Sequence, residues 1–210
     1  MLRRGLLALL LVLPGCADDS PRPTVFAASS LTEAFRALDV DADFSFGSSS
    51  RLARQVAEGA PADVLATADE ASMRSAGRGR PVPFATNRLV VAHRGAVREP
   101  ADLPRLRVVL AAPSVPAGRY AAQALAAAGV VVQPLSLEPD VRAVAAKVRS
   151  GEADAGVVYA TDAEGLQTVE LGVEARYVVA ALTDRGRPFV ALLLGARGRR
   201  VLTEHGFGLP

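Results

Sequence analysis

Short apolar runs alternate with helical stripes along most of the chain. Val25-Phe26-Ala27 is a compact apolar run that predicts a strand. Leu31, Ala34, Phe35 and Leu38 then fall at i, i+3, i+4 and i+7, the stripe of a helix. Phe44-Ser45-Phe46 returns to alternation, and Leu52 and Val56 mark one face of a second helix with Gly59 as its stop. Residues 63–66, 89–92, 107–111, 156–159, 177–181 and 190–194 read as further strands. Residues 117–128 and 141–149 read as helices ended by Gly129 and Gly151. Strands alternating with helices predict a mainly parallel, doubly wound α/β sheet. There are more strands than one small sheet needs, and Pro81-Val82-Pro83 reads as a hinge between two lobes.

The helix entrances carry the candidate chemistry. Ser30-Leu31-Thr32-Glu33 has the spacing of a capping box. Ser48, Ser49 and Ser50 open the second helix after Gly47, where one serine would be enough. Pro116-Ala117-Gly118 opens the third helix and Pro139-Asp140-Val141 the fourth. In a parallel sheet such entrances lie at the carboxyl ends of the strands, where these folds bind ligands. Each offers free N–H groups and a partial positive charge, which suits an anion. A serine at a helix entrance is ordinarily only a cap, worth about 1 kcal/mol. A triplet leaves two hydroxyls beyond that need. Tyr159 and Val141, taken alone, read as core or rim residues.

Composition narrows the function. The chain has 210 residues, half of them apolar, enough for one ordinary domain or two small lobes. Arg3-Arg4, the apolar run 6–13 and Leu13-Pro14-Gly15-Cys16 form a targeting segment. It falls well short of the ~20 residues needed to span a bilayer. It resembles a bacterial lipoprotein signal, which implies that residues 1–16 are a signal peptide ending at a lipidated Cys16 and that 17–23 form a tether. The alternative is a plain secretory signal with an incidental cysteine. Either way the mature chain is expected outside the cytoplasm, without an internal disulfide, because Cys16 is the only cysteine. The net charge of +2 draws on Arg3 and Arg4, so no basic face for nucleic acid is expected. His93 and His205 are the only histidines, which argues against a metal centre, and no cofactor is expected. Gly47-Ser48-Ser49-Ser50-Arg51 lacks the second glycine of a hydrolase nucleophile turn. The chain is therefore expected not to be an enzyme.

VFAASSL (25–31), FGSSSRLARQVAEGAPADV (46–64), VPAGRYAAQAL (115–125), DVRAVAAKV (140–148) and AGVVYATDA (155–163) occur in that order. Together they resemble the periplasmic molybdate-binding proteins, the solute receptors of molybdate ABC transporters. The resemblance runs over nearly the whole mature chain. It implies a two-lobed periplasmic binding protein fold, type II-like, with an oxyanion between the lobes. Residues 24–84 plus 180–210 would form one lobe and 88–178 the other. The matching ligand positions are Ser30 through its hydroxyl, Ser49 through its hydroxyl and backbone N–H, Ala117 and Val141 through backbone N–H, and Tyr159 through its phenol. Asp140 is read as the cap of the fourth helix. The implied ligand is molybdate or tungstate. The implied partner is an ABC permease, and the receptor is expected as a monomer held to the membrane only by the lipid on Cys16. Sulfate or thiosulfate is the alternative cargo, and a serine-dependent hydrolase the remote alternative. Two segments depart from the family pattern. Residues 31–46 are shorter than the usual helix there, and the loop 73–86 is compact and arginine-rich.

Such a ligand is a fully deprotonated tetrahedral dianion that only accepts hydrogen bonds. Hydroxyls and backbone N–H groups supply donors without burying a cation.

Overall fold

The computed structural model describes residues 22–95 and 97–210. The predicted signal, Cys16 and most of the tether lie outside them. Eight strands form one sheet: β1 (Thr24–Ala28), β2 (Asp43–Gly47), β3 (Val64–Thr67), β4 (Val82–His93), β5 (Val108–Ala111), β6 (Ser136–Glu138), β7 (Ala155–Tyr159) and β8 (Gln167–Ala181). Seven α-helices accompany them: α1 (Thr32–Ala37), α2 (Ser49–Ala57), α3 (Glu70–Ser75), α4 (Pro116–Ala127), α5 (Val141–Ser150), α6 (Arg187–Leu194) and α7 (Ala196–Glu204). Among the described residues no helix is long and apolar enough to cross a membrane.

The strand order is β2-β1-β3-β8-β4-β7-β5-β6. It divides into two halves built alike. In the first, β2 and β3 flank β1 in parallel, and the end of β8 runs antiparallel to β3. In the second, β6 and β7 flank β5 in parallel, and the end of β4 runs antiparallel to β7. The long strands β4 and β8 pair with each other and pass through both halves. Their register jumps where Arg88 faces Glu174 but Val90 faces Glu170.

The helices form for reasons visible in their residues. In α2, Ser49, Leu52, Ala53 and Val56 are buried at i, i+3, i+4 and i+7, and α5 buries Val141, Val144, Ala145 and Val148 at the same spacing. The Asp140 carboxylate accepts from the Ala143 N–H at 3.1 Å and caps α5, as expected. Gly151 ends it with φ +80°, a conformation that glycine adopts without a Cβ clash. Phe35 lies at the centre of an aromatic cluster with Phe44, Phe84 and Phe189 in the first half. Tyr120, Tyr159, Tyr177 and Phe207 form a second aromatic chain where the halves meet.

Four expectations need correction. Residues 190–194 are not a strand but lie in α6, which packs on β3 and β8. A short apolar run does not distinguish the two states by periodicity, and Pro188 in the first helical turn was the better signal. Pro81-Val82-Pro83 is no hinge: Val82 and Pro83 already belong to β4 and face Val179 and Val178. The segment 73–86 is not all loop, because α3 and the start of β4 take most of it. The Ser30 capping box does not form either. Leu31 stands at the N-cap of α1 with no side-chain cap bond, and the Ser30 hydroxyl is engaged elsewhere.

Candidate functional site

Ser30, Ser49, Ala117, Val141 and Tyr159 line one small cavity between the two halves of the sheet. Ser30 and Ser49 come from the first half and the other three from the second. All five are nearly inaccessible to solvent. The cavity offers ≈ 20 Å³ to the centre of a water-sized sphere. That is about the space one water molecule needs, so the cavity is tight.

Three helices begin at its wall: α2 at Ser49, α4 at Pro116 and α5 at Val141. Each follows a strand or its exit loop. Their N-terminal amides and dipole ends make the wall electropositive without a cationic side chain. Pro116 has no N–H and Val115 gives α4 no side-chain cap, so no side chain takes up the Ala117 amide. Gly118 lets this helix sit close to the end of β5. A Cβ there would collide with the Ala112 carbonyl oxygen.

The three serines of the second helix entrance divide the work. Ser48 caps α2 by accepting from the Arg51 N–H at 3.4 Å. The Ser49 hydroxyl oxygen accepts from the Ala68 N–H at 3.0 Å, which leaves its hydrogen to donate into the cavity. Ser50 donates to the Ser114 carbonyl at 2.7 Å, joining the two halves.

Tyr159 is the most telling of the five. Its hydroxyl is buried and has no partner among the described residues. Burial, with a smaller contribution from the charges around it, pushes the phenol far above its ordinary pKa. It is thus a neutral, dry donor without an acceptor, and an unpaired buried hydroxyl of this kind costs about 1–3 kcal/mol. Ser30 pairs with the Tyr177 hydroxyl at 2.8 Å. Asp140 also lines the cavity and is the one carboxylate there, with its Oδ1 taken by the cap of α5.

Polar bridges flank the cavity and tie the halves together. The Arg119 guanidinium donates to Asp69 Oδ2 at 2.5 and 3.1 Å, to Ser72 Oγ at 3.0 Å and to the Ser114 carbonyl at 2.8 Å. On another side Arg142 pairs with Glu33 at 3.1 Å. Local pattern had not singled out Arg119, Asp69 or Tyr177. Tyr177 meets Ser30 across 147 residues of chain, a distance no helix or strand period spans.

Neither histidine lines the cavity. The His93 ring is buried and accepts from the Gly95 and Val97 amides through Nδ1, and burial holds its pKa below the ordinary value. Ser49 therefore has no imidazole to activate it. Among the described residues no group of three or more His, Cys, Asp or Glu side chains is placed to hold a metal ion.

A two-lobed α/β frame with a small donor-lined cavity between its halves is the fold of the periplasmic binding proteins. The chain belongs to the bacterial extracellular solute-binding protein family, matched over residues 23–208. It is 37% identical over 256 residues to the molybdate-binding protein ModA of Mycobacterium tuberculosis (strain H37Rv), covering 100% of this chain and 98% of that one. Among solved structures it resembles the periplasmic molybdate-binding protein of Azotobacter vinelandii, with a TM-score of 0.77 at 18% identity, covering 90% of this chain and 100% of that one. The sulfate-binding protein SubI of Mycobacterium tuberculosis H37Rv shares the fold at a TM-score of 0.74 and 17% identity, covering 89% of this chain and 86% of that one.

Proposed function

We propose that this protein is an extracytoplasmic receptor that captures molybdate, and tungstate with it, and delivers the oxyanion to an ABC permease. The observation that carries the reading is the unpartnered Tyr159 hydroxyl, buried in a cavity that three helix N-termini enter. Ser30, Ser49 and Tyr159 donate through hydroxyls, and Ala117 and Val141 through backbone amides. The two lobes, residues 24–84 with 180–210 and residues 88–178, close over the anion, and Arg119 with Asp69 and Ser50 holds them shut. A dianion accepts from every donor of this set and needs no acceptor in return. The relative from Mycobacterium tuberculosis and the structure from Azotobacter vinelandii are both named for molybdate binding. Cys16 anchors the receptor by its lipid, so Cys16→Ser leaves the exported chain soluble or unprocessed.

Sulfate is the competing reading, because a sulfate-binding protein has the same fold and the same donors suit a smaller dianion. Calorimetric titration with molybdate, tungstate, sulfate, thiosulfate and phosphate decides between them. Tight binding of molybdate and tungstate with weak or no binding of the others is expected. Preference for sulfate would overturn the cargo, and binding of none would overturn the receptor reading.

A further inference from the structure

Asp162 is a buried carboxyl that the donor set does not use. It closes the 3-10 turn Ala160–Asp162 that follows β7, three residues beyond Tyr159. The residue is 8% exposed, and its Oδ2 has no hydrogen-bond partner among the described residues. The cations that face it from α5 are occupied. Arg149 donates to the Asp162 and Glu164 main-chain carbonyls at 2.6 and 3.1 Å, and Arg142 is paired with Glu33 of α1. Asp140, at the cap of α5, adds a negative charge. From β8 the neighbour is the Tyr177 phenol, and from β4 the uncharged Asn87, which donates to Thr161 Oγ1 of the same turn at 2.8 Å. The groove that Asp162 lines, ≈ 660 Å³, also receives Glu164, and Glu204 and His205 from the end of α7. Ser30 lines both this groove and the anion cavity, so a proposed ligand residue links the two.

A carboxylate left dry and without an ion pair is the costly form of this side chain. Burial raises the pKa to about 7, against Arg142 and Arg149, which lower it. We propose that Asp162 is a proton-linked affinity determinant: it is neutral when the oxyanion is bound, so capture takes up a proton at a residue that never touches the ligand. This rests on the reading of the cavity as an oxyanion site. A dianion nearby favours the neutral acid, and the ionised acid opposes the dianion. The bound-state pKa therefore lies above the free-state one. Affinity is highest below both and falls as pH rises through them.

The test is calorimetry of the mature chain with sodium molybdate, in buffers of different ionisation enthalpy, from about pH 6 to about pH 8.5. The wild type is expected to take up a fraction of a proton near neutrality, and its Kd to rise roughly 3- to 10-fold across that range. Asp162→Asn should abolish the uptake and flatten the profile. His205→Gln, which removes the imidazole sharing the groove, should keep both. Should Asp162→Asn not fold, carbon NMR of labelled aspartate carboxyls in the wild type reads the same event as a near-neutral titration that molybdate shifts upward. A pH-independent Kd, or uptake that survives Asp162→Asn, would overturn the role of Asp162 alone. Absence of molybdate binding at every pH would overturn the receptor reading and this one with it.

Discussion

The two halves of the molecule share a strand order but meet the cavity with different chemistry. Besides the amides at the start of α2, the first contributes two side-chain hydroxyls, Ser30 and Ser49, each steadied by a second group: the Tyr177 phenol for one and the Ala68 amide for the other. The second contributes main-chain amides at the starts of α4 and α5, with a single hydroxyl, Tyr159. An amide donor is positioned by the path of its helix and not by its side chain. The first half should therefore be sensitive to what the side chains are, and the second to where the backbone runs.

The sharpest way to break that contrast is Gly118→Ala. The added Cβ has no room against the Ala112 carbonyl, so the start of α4 must move and carry the Ala117 amide with it. Loss of binding by more than about 100-fold is expected, from a displacement on the order of 1 Å. Calorimetry should read it while circular dichroism reports a folded protein. Next in size come Tyr159→Phe and Ser49→Ala. On the proposed reading each deletes one hydrogen bond to a charged group, about 1.5–3 kcal/mol, or roughly a 10- to 150-fold rise in Kd, and Ser49→Ala also leaves the Ala68 amide without its acceptor. Tyr159→Phe should also keep or raise the thermal midpoint of the empty protein, because it removes a hydroxyl that has no partner there.

A smaller loss is expected for Arg119→Ala. Its ion pair with Asp69 joins the halves, but the guanidinium is 37% exposed, so a loss of several-fold is expected. Because Arg119 touches the lobes and not the ligand, molybdate and tungstate should lose affinity by the same factor. A factor that differs between them would place Arg119 at the ligand. The smallest effect should be that of Val141→Ala, which keeps the amide and the helix start and should leave Kd within about threefold of wild type. A loss as large as that of Ser49→Ala would show that the side chain of the second half matters after all.

How much of this was legible beforehand differs by element. The helix entrances at Ser30, Ser49, Ala117 and Val141 were, because each follows a strand and such entrances share one end of a parallel sheet, whereas Tyr159 at the end of β7 was marked only by the family resemblance. The family motifs then picked five residues, and the structure brings those five to one cavity. What could not be read comes from β4 and β8. Residues 89–92 and 177–181 had each been read as a short strand, yet they are the ends of strands of 12 and 15 residues. Their pairing with one another is antiparallel and long-range, so no local period announces it. Tyr177 behind Ser30 and the register jump near Arg88 depend on that pairing. Asp162 was visible within the motif AGVVYATDA, but its burial was not.

The passage of β8 back into the first half has a consequence for biogenesis. β3 gains its second neighbour, on the side toward the centre of the sheet, only from residues 178–181. A chain that emerges N-terminus first brings out β1, β2 and β3 long before the strand that completes them. Until then β3 presents an open edge, and the contacts that seal it span more than a hundred residues. Completion of this half therefore waits for a segment more than a hundred residues further along. The same topology that lets two strands serve both halves thus makes the return of β8 the step that closes the first half.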